Sequence, residues 1–406
     1  MDRRIKMKNT TITAPKGFLA AGISCGIKTS GKKDIGIICC PTGAKAAGVF
    51  TTNKVVSAAV TVCKKHIKTG SIEAVAANSG IANTCTGKLG LKNAQIMCKT
   101  VSQLIDAKSK QVLVASTGII GHQLPMDKIT TGIILTAVKL SNSPKAGNDF
   151  AQAIMTTDLR CKQAFKTVNI DGAKITIAGT VKGAGMIGPN MATTLCFITT
   201  DAVIAKALLQ KALKEAVGNS LNKLTVDGHQ STNDTAIILA SGLAENKPIT
   251  RTSTQYKKFA IALSELCTDL AKQMALDAEG ATKMFTVVVN GAASKAEAAK
   301  AARAVANYDL VKCAIHGGDP NWGRIICAVG DCGVKLNSNK LSCSIGNITV
   351  FKNSQPVKFD AKKVSKIISQ KEHTITINLG AGKFSDFCYG CDLSKEYVTI
   401  NADYHT

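Results

Sequence analysis

The first third of the chain alternates short apolar, β-branched runs with turns rich in Gly, Thr and Asn. Residues 37–40, 58–63 and 74–77 are runs of this kind, and they predict strands of a sheet. Residues 92–105 carry apolar positions three or four apart, which predicts a helix, and residues 111–115 return to a strand. This mixture indicates an α/β fold.

The same alternation continues through the middle of the chain. Residues 149–155 have a helical pattern, whereas residues 193–199 form a β-branched run of strand length. Two amphipathic helices are predicted at residues 201–217 and 259–274, and a buried strand at residues 284–289. These elements extend the α/β pattern through the second half of the sequence.

The last hundred residues predict a smaller, β-rich lobe behind one well-marked helix. Ser294 and Glu297 match a capping box ahead of an alanine-rich helix that runs to about residue 306. Four strand-like runs follow it, at residues 325–329, 341–350, 374–379 and 397–401.

Residues 182–194 join a segment that must bend to the start of a strand. Three glycines and one proline fall between Gly183 and Pro189, and they disfavour a regular helix or strand. The turn delivers a small residue, Ala192, and then Thr193. A threonine held there can attack the preceding carbonyl, and hydrolysis of the resulting ester would free its backbone amine.

A threonine with a free amine carries a nucleophile and a base on one residue. An α-amine has a pKa of roughly 7.7 to 8.0, so it can take the hydroxyl proton near neutral pH without a histidine. The pattern alone is also typical of an ordinary turn before a strand, which is the commoner structural interpretation.

This stretch resembles the self-processing segment of the ornithine acetyltransferase family, also called glutamate N-acetyltransferase. The similarity covers residues 182–194 and the Thr-Asp-Ala at residues 200–202. Further similar segments follow the family's order along nearly the whole chain, at residues 48–53, 78–83, 116–121, 156–158, 226–228, 231–235, 277–283, 319–324, 390–393 and 397–402.

The resemblance implies a layered αββα sandwich like that of amino-terminal-nucleophile hydrolases, with a smaller C-terminal α/β lobe. It also implies two fragments after self-cleavage. Residues 1–192 would be the first, an N-terminal α/β body. Within the second, residues 193–290 would complete the central sheet, and about residues 291–406 would form the lobe.

Site residues are implied by the same resemblance. Cleavage falls between Ala192 and Thr193, and Thr117 with Gly118 forms the oxyanion hole. The substrate-binding residues are Thr156, Lys182, Thr193, Glu279, Asn401 and Thr406. Either Thr156 or the neighbouring Thr157 could contact substrate, and we select Thr156.

The implied reaction moves an acetyl group from N2-acetyl-L-ornithine to L-glutamate in cyclic arginine biosynthesis, through an acetyl ester on Thr193. Lys182 would hold the substrate's α-carboxylate. No metal or bound cofactor is expected. The family also has bifunctional members that accept acetyl-coenzyme A, and the sequence does not separate the two kinds. The motif at residues 319–324 is expected near the site, and the cleaved chains are expected to form a heterotetramer.

Two rivals remain open from the sequence. An amino-terminal-threonine amidase or aminopeptidase would use Thr193 for hydrolysis and release acetate or an amino acid to water. A nucleic-acid-binding protein is favoured only by the formal charge of +24. The lysines are spread along the chain without a basic block interleaved with aromatic residues, so attraction of anionic amino-acid substrates explains the charge better.

The 15 cysteines are scattered, and we predict reduced thiols used as small apolar residues. Cys388 and Cys391 form a lone CxxC without a second pair nearby, so no metal site is predicted. No apolar run reaches the length of a membrane span, and the basic residues 1–8 lack the apolar core of a secretory signal. We therefore expect a cytoplasmic protein.

A few positions differ from the pattern usual in the family. Ile81 stands where Asn is usual, His229-Gln230 where Asp-Thr is usual, Gly318 in place of Ala, and His405 in place of Arg. These differences concern substrate preference, local packing and the contacts of the C-terminal tail rather than the cleavage chemistry.

Overall fold

The computed structural model describes residues 9–188 and 194–403. The strands of this part of the chain are β1 (Leu19–Ile23), β2 (Ile35–Phe50), β3 (Ile72–Ile81), β4 (Val112–Ile119), β5 (Lys162–Ile170), β6 (Ala173–Lys182), β7 (Leu195–Thr200), β8 (Thr235–Ala240), β9 (Met284–Ala292), β10 (Ser342–Ile345), β11 (Ile348–Lys352), β12 (Gln355–Pro356), β13 (Glu372–Asn378) and β14 (Phe384–Cys391). The helices are α1 (Ala58–His66), α2 (Gly87–Leu104), α3 (Met126–Ala137), α4 (Pro144–Ala153), α5 (Lys206–Gly218), α6 (Thr254–Leu276), α7 (Lys295–Asn307), α8 (Asp309–Gly317), α9 (Trp322–Asp331), α10 (Ala361–Ile368) and α11 (Lys395–Asp403).

The central sheet has the strand order β4-β3-β2-β8-β7-β6-β5, with β1 paired to β2. Its longest strand, β2, belongs to two halves of this sheet. Residues 35–39 pair with β1 and β3, whereas residues 45–50 pair with β8. The change of partner falls next to Gly43, whose φ of +74° suits the bend between the halves.

The two halves of the sheet face each other. On β7, Cys196 and Ile198 pack in one core cluster with α5 and α6, while Leu195 and Phe197 join the cluster around β1 to β4. Successive side chains of β7 point to opposite faces, so the strand lies between two apolar layers. Helices α1, α2 and α3 cover the outer face of the β1 to β4 half. The predicted αββα layering is therefore confirmed.

The C-terminal lobe is built on a second sheet with the order β12-β11-β10-β13-β9-β14, and α7 packs on β9 and β14. This arrangement confirms the predicted smaller α/β lobe. It also corrects the boundary that we set at residue 290, because β9 pairs with β13 and β14 and not with the central sheet. The lobe begins at Met284.

Three runs that we predicted as strands are helices. Residues 58–63 lie in α1, whose N-cap Ser57 accepts a hydrogen bond from the backbone N–H of Ala59. Residues 325–329 lie in α9, which the side chain of Asn321 caps. In both segments the cap outweighs the β-branched composition on which the strand prediction rested.

The third of these runs, residues 397–401, lies in α11. Tyr397 and Asn401 both make their contacts towards the rest of the protein from this helix. Residues four apart lie on one face of a helix, whereas in a strand they would lie too far apart to serve one small site. The local strand propensity is therefore overridden by tertiary contacts.

Cysteine serves mainly as a packing residue. All 15 cysteines are free thiols, and nine of them are buried. Cys63 and Cys98, for example, lie in the core beneath α1 and α2, and burial raises the pKa of the Cys63 thiol to about 12. Among the described residues, no helix is both long enough and apolar enough to cross a membrane.

Candidate active site

Six of the predicted site residues line one cavity that opens to solvent. They are Thr117, Gly118, Thr156, Lys182, Glu279 and Asn401. They come from the end of β4, the loop before β5, the end of β6, the turn after α6 and helix α11. The other predicted residues, Ala192, Thr193 and Thr406, lie outside the described residues.

The predicted oxyanion pair lies where β4 leaves the sheet. Thr117 and Gly118 pair with β3 beside an irregularity in register at Gly80 and Ile81. Gly118 has a φ of +128°, and a Cβ atom there would lie 2.2 Å from the carbonyl carbon of Gly80. Only glycine fits this position, because both the backbone conformation and the space exclude a side chain.

The carbonyl just before this pair is fixed by a buried amide. Asn233 Nδ2 donates to the carbonyl oxygens of Ser116 at 2.7 Å and Ala82 at 2.6 Å. The Oδ1 atom of Asn233 accepts from the hydroxyls of Thr84 and Thr232. With its hydrogen bonds satisfied, Asn233 holds the strand end rigidly at the cavity wall.

Lys182 is a buried cation at the end of β6. Its side chain is only 2% exposed, and Nζ donates to Thr156 Oγ1 at 3.3 Å. Burial lowers the pKa of this ammonium group, and the carboxylates of Asp158 and Asp234 oppose that shift. A negatively charged ligand would add a further favourable partner, so this end of the cavity suits a carboxylate.

Asp158 organises the residues around this lysine. Its carboxylate accepts from the backbone N–H groups of Thr156 at 2.9 Å and Gly183 at 2.8 Å. Lys162 lies 2.5 Å from both Asp158 and Asp277. Burial alone would raise the pKa of Asp158, but the charges of Lys162 and Lys182 lower it to about 2. The carboxylate therefore stays ionised and fixes the loop that carries Thr156.

Glu279 is a carboxylate that also lines the cavity. Its carboxylate accepts from the Thr157 hydroxyl at 2.6 Å and from Asn401 Nδ2 at 2.9 Å. A Cβ atom on Gly185 would come within 2.1 Å of Glu279 Oε2, so a glycine at this position leaves room for the carboxylate. The two adjacent threonines therefore have different partners. The Thr156 hydroxyl accepts from Lys182, and the Thr157 hydroxyl donates to Glu279.

The segment that leads to the predicted cleavage point is described as far as Gly188. We call residues 183–188 the arm. Its backbone bonds to the second half of the chain, because Glu279 N donates to the Ala184 carbonyl at 2.9 Å and Val226 N to the Ile187 carbonyl at 2.8 Å. Gly185 and Met186 of the arm line the cavity.

The chain is described again from Thr194. The Thr194 N–H donates to Asp234 Oδ1 at 2.8 Å, and the Thr194 carbonyl accepts from Thr235 N at 2.8 Å. Both flanks of residues 189–193 are therefore fixed, by the arm on one side and by the start of the β7 and β8 ladder on the other.

The cavity belongs to a chain with many recognisable relatives. The model of the ArgJ family matches residues 19–406. The arginine biosynthesis bifunctional protein ArgJ of Bacillus anthracis is 45% identical over 403 residues, which cover 99% of this chain and 98% of that protein. The chain belongs to the ArgJ family.

Solved structures of this family are also similar. ArgJ from Bacillus halodurans is 44% identical, with a TM-score of 0.50, and the match covers 51% of this chain and 98% of that chain. Ornithine acetyltransferase from Mycobacterium tuberculosis, complexed with ornithine, is 34% identical with a TM-score of 0.42, covering 47% of this chain and 98% of that chain. The family predicted from the motifs, and with it the prediction of an enzyme, is confirmed.

Sequence reasoning missed an acidic residue that ties the arm of this ArgJ-family chain to the cavity. Asp227 accepts from Met186 N at 2.7 Å, Ile187 N at 2.9 Å and the Tyr397 hydroxyl at 3.2 Å. Met186 has a φ of +54°, which is uncommon for a residue with a side chain. The Asp-Gly at residues 227–228 was visible in the sequence, but nothing local pointed to bonds with residues forty positions earlier.

The positions that differ from the usual family pattern have separate locations. His229 lines the cavity, and Ile81 follows the irregularity beside Gly118. Gly318 ends α8 with a φ of +67°, a conformation that glycine adopts without strain. His405 lies outside the described residues.

The motif at residues 319–324 does not line the cavity. Trp322 stacks on Phe351 at 5.0 Å between ring centroids, and Arg324 Nη1 donates to the Leu310 carbonyl at 2.9 Å. These contacts hold the lobe together, so the motif acts in packing. Within the described residues, no group of three or more His, Cys, Asp or Glu side chains is arranged to hold a metal ion.

Proposed function

We propose that this ArgJ-family enzyme transfers the acetyl group of N2-acetyl-L-ornithine to L-glutamate, through an acetyl ester on Thr193. The observation that carries the proposal is the meeting of six predicted residues in one cavity at the arm that leads to residue 193. These residues are far apart in the sequence, and their convergence on one cavity supports a shared site.

The cavity supports recognition of an amino-acid substrate by its charges. Lys182 offers a buried ammonium group to the α-carboxylate, and Thr156 beside it offers a hydroxyl. Glu279, held by Thr157 and Asn401, offers a carboxylate to an ammonium group of the substrate. A cation and a carboxylate in one cavity would orient a ligand that carries both charges.

The chemistry then needs only one nucleophile, one base and an oxyanion site. Thr193 Oγ attacks the acetyl carbonyl and its own amine takes the proton, while the Thr117 hydroxyl and the Gly118 N–H bind the negative oxygen. The amine returns this proton to the leaving nitrogen of ornithine. Glutamate reverses these steps with its own nitrogen, which takes the acetyl group and restores Thr193.

The free amine would come from self-cleavage between Ala192 and Thr193. The solved chain of Bacillus halodurans ArgJ matches 51% of this chain over 98% of its own length, so it is about half as long as this chain. A half-length chain is what such a cut would produce, and this supports the proposal.

Several finer points belong to the same proposal. Acetyl-coenzyme A would be a second acetyl donor if the enzyme is bifunctional, and no bound cofactor is needed for the transfer. The cleaved chains would stay together, two of each, as a heterotetramer. The 15 free thiols suit a reducing compartment such as the cytoplasm.

A denaturing gel and an intact-mass measurement test the cleavage. Wild-type protein should give fragments of residues 1–192 and 193–406, whereas Thr193→Ala should remain one chain because it lacks the hydroxyl. Thr193→Ser should cleave partly. The matched control is Thr194→Ala, which alters the next threonine and should still cleave. An uncut wild-type chain with full acetyl transfer would contradict the proposed mechanism.

Parallel assays separate the acyl donors and the hydrolytic rival. Acetylornithine with glutamate should give acetylglutamate and ornithine in equal amounts. Acetyl-coenzyme A with glutamate tests the second donor. Release of free acetate at the same rate with and without glutamate would instead support an amino-terminal-threonine amidase.

A further inference from the structure

The peptide group between Met155 and Thr156 has an ionisable partner at each end. Lys28 Nζ donates to the Met155 carbonyl at 2.7 Å, and the Thr156 N–H donates to Asp158 Oδ2 at 2.9 Å. A peptide group is planar, so bonds at its two ends fix the orientation of the whole plane. Hydrogen bonds to ionised groups are roughly twice as strong as those between neutral groups. The backbone just before the Thr156 side chain is therefore firmly held.

Lys28 reaches this peptide group from residues 24–34, which we call the β1–β2 loop. Asp34 lies fully buried at the end of the loop. Its carboxylate accepts from three backbone N–H groups of the loop, those of Cys25 and Ile27 at 2.7 Å and of Lys28 at 3.1 Å. Backbone N–H groups that converge on one anion in this way fix the path of a loop. The Lys28 side chain therefore extends from an ordered backbone.

The ammonium group of Lys28 is half-buried between two carbonyl oxygens. Besides the Met155 bond, Nζ donates to the Lys33 carbonyl of its own loop at 2.7 Å. Burial lowers the pKa of Lys28 to about 8, an effect that the charges of Asp34 and Asp158 oppose. The amine therefore stays mainly ionised at pH 7. The two carbonyls replace the water that burial removes.

The held peptide group sets the direction of a hydroxyl that lines the cavity. Thr156 Oγ1 accepts from Lys182 Nζ at 3.3 Å. A change in the plane of the preceding peptide would alter the backbone angles of Thr156. The allowed side-chain rotamers depend on those angles, so the hydroxyl would turn away from the lysine.

We infer that Lys28 is a positioning residue for the substrate's α-carboxylate, because it fixes the peptide group that directs the Thr156 hydroxyl towards Lys182. Lys28 is not among the described residues that line the cavity, so it acts through Thr156 and not on the ligand. The inference rests on the proposed function, which assigns Lys182 and Thr156 to the carboxylate. It adds the β1–β2 loop to the elements on which the site depends.

The first test is Lys28→Met, which keeps the length of the side chain and removes the charged donor. At pH 7, with glutamate saturating, the KM for acetylornithine should rise by about tenfold. The kcat per cleaved enzyme should stay within about twofold of wild type. This split is expected because the carboxylate contact is present in both the bound substrate and the transition state. Lys28→Arg keeps a charged donor and should restore KM to within about threefold of wild type.

A double-mutant cycle tests whether Lys28 acts through Thr156. Thr156→Val removes the hydroxyl and should itself raise KM. Adding Lys28→Met to Thr156→Val should raise KM by less than about twofold more, because the group that Lys28 positions is already absent. A lysine that only supported the fold would give two effects that multiply.

Lys128→Met is the matched control. Lys128 is exposed on α3, and its Nζ donates to the Gly26 carbonyl of the same β1–β2 loop at 2.8 Å. This variant should leave KM unchanged, because the bond to Met155 remains. Lys28→Gln serves if Lys28→Met does not fold, and it should show the same rise in KM because it also lacks the charge.

The outcomes separate this inference from the proposed function. A wild-type enzyme that transfers no acetyl group removes the proposed function itself. An active wild type, with an unchanged KM in Lys28→Met or with multiplying effects in the cycle, removes only the inference. An equal rise in KM for Lys128→Met would also remove it, since general disorder of the loop would then explain the effect.

Discussion

The proposed oxyanion pair contains one residue with an unusual conformation. Gly118 combines a φ of +128° with a backbone neighbour at Gly80 that leaves no room for a Cβ atom. The sequence motif identified the position by resemblance, but the reason for a glycine there became visible only with β3 alongside β4.

We predict that Gly118→Ala lowers both activity and stability. The rate of acetyl transfer should fall by about a hundredfold or more, because one oxyanion donor is displaced. The free energy of unfolding should fall by about 1 to 3 kcal/mol, because alanine strains the backbone there. Steady-state kinetics and urea unfolding measure the two effects. The control is Gly121→Ala, whose φ is +86° but whose Cβ would meet nothing within 4 Å. Equal effects of the two variants would contradict the role given to Gly118.

A second residue-scale prediction concerns pH and stability. His373 is buried against Phe285, and among the described residues neither ring nitrogen has a hydrogen-bond partner. Burial lowers its pKa from 6.5 to about 4. Between these values the unfolded chain takes up a proton that the folded chain does not, so stability falls as the pH drops from 6.5 to 4.

His373→Phe should remove this dependence, which amounts to about 3 kcal/mol across the window. Urea unfolding at pH 7 and pH 4.5 measures it, with the exposed His122→Ala as control. If the substitution at residue 373 leaves the pH dependence unchanged, the buried neutral histidine is not its source.

At the scale of elements, a carboxylate from the second half of the chain helps to hold the arm in place. Asp227 binds two successive backbone N–H groups of the arm, at Met186 and Ile187. Hydrogen bonds to a charged group are worth about 1.5 to 3 kcal/mol each. These two bonds help to stabilise the positive φ of +54° at Met186.

Asp227→Ala should therefore slow self-cleavage by more than about tenfold, because the turn before residue 193 loses its anchor. Tyr397→Phe removes only the hydroxyl bond to the same carboxylate and should cleave nearly as fast as wild type. The cleaved fraction is followed on a denaturing gel after a timed expression pulse. Similar rates for the alanine variant and wild type would contradict an anchoring role.

The elements also show where sequence reasoning succeeds and where it fails. Residues 92–105 and 259–274 were predicted correctly as helices, because their apolar spacing repeats over several turns. Residues 58–63, 325–329 and 397–401 are short and β-branched, and there the caps and tertiary contacts decided for helix. Short runs contain too few residues to distinguish the period of a helix, about 3.6 residues, from that of a strand, about 2 residues.

The candidate site was predictable only in part for a related reason. Thr117, Lys182 and Glu279 lie in recognisable segments, so resemblance found them. Asp227 and Asp234 also lie in such segments, yet their roles depend on backbone groups of distant residues. A pattern of residue types does not reveal which N–H groups a carboxylate will meet.

At the scale of the whole molecule, the proposed cut would fall inside one continuous sheet. Strand β7, after the cut, pairs with β6 before it, and β8 pairs with β2. Separating the fragments would therefore break two strand interfaces and expose the core on both faces of β7. The fragments should elute together on gel filtration without denaturant and separate only on unfolding.

The pairing of β2 with β8 also affects when the cavity can form. Residues 45–50 of β2 pair with β8. In this pairing Phe50 lies beside Thr235, which is 185 positions later in the sequence. Contacts between residues this far apart in the sequence form slowly, because a long loop must close first. Asn233 comes into place with β8, and the cavity residue Asn401 is made later still, so the cavity is incomplete until both have been synthesised.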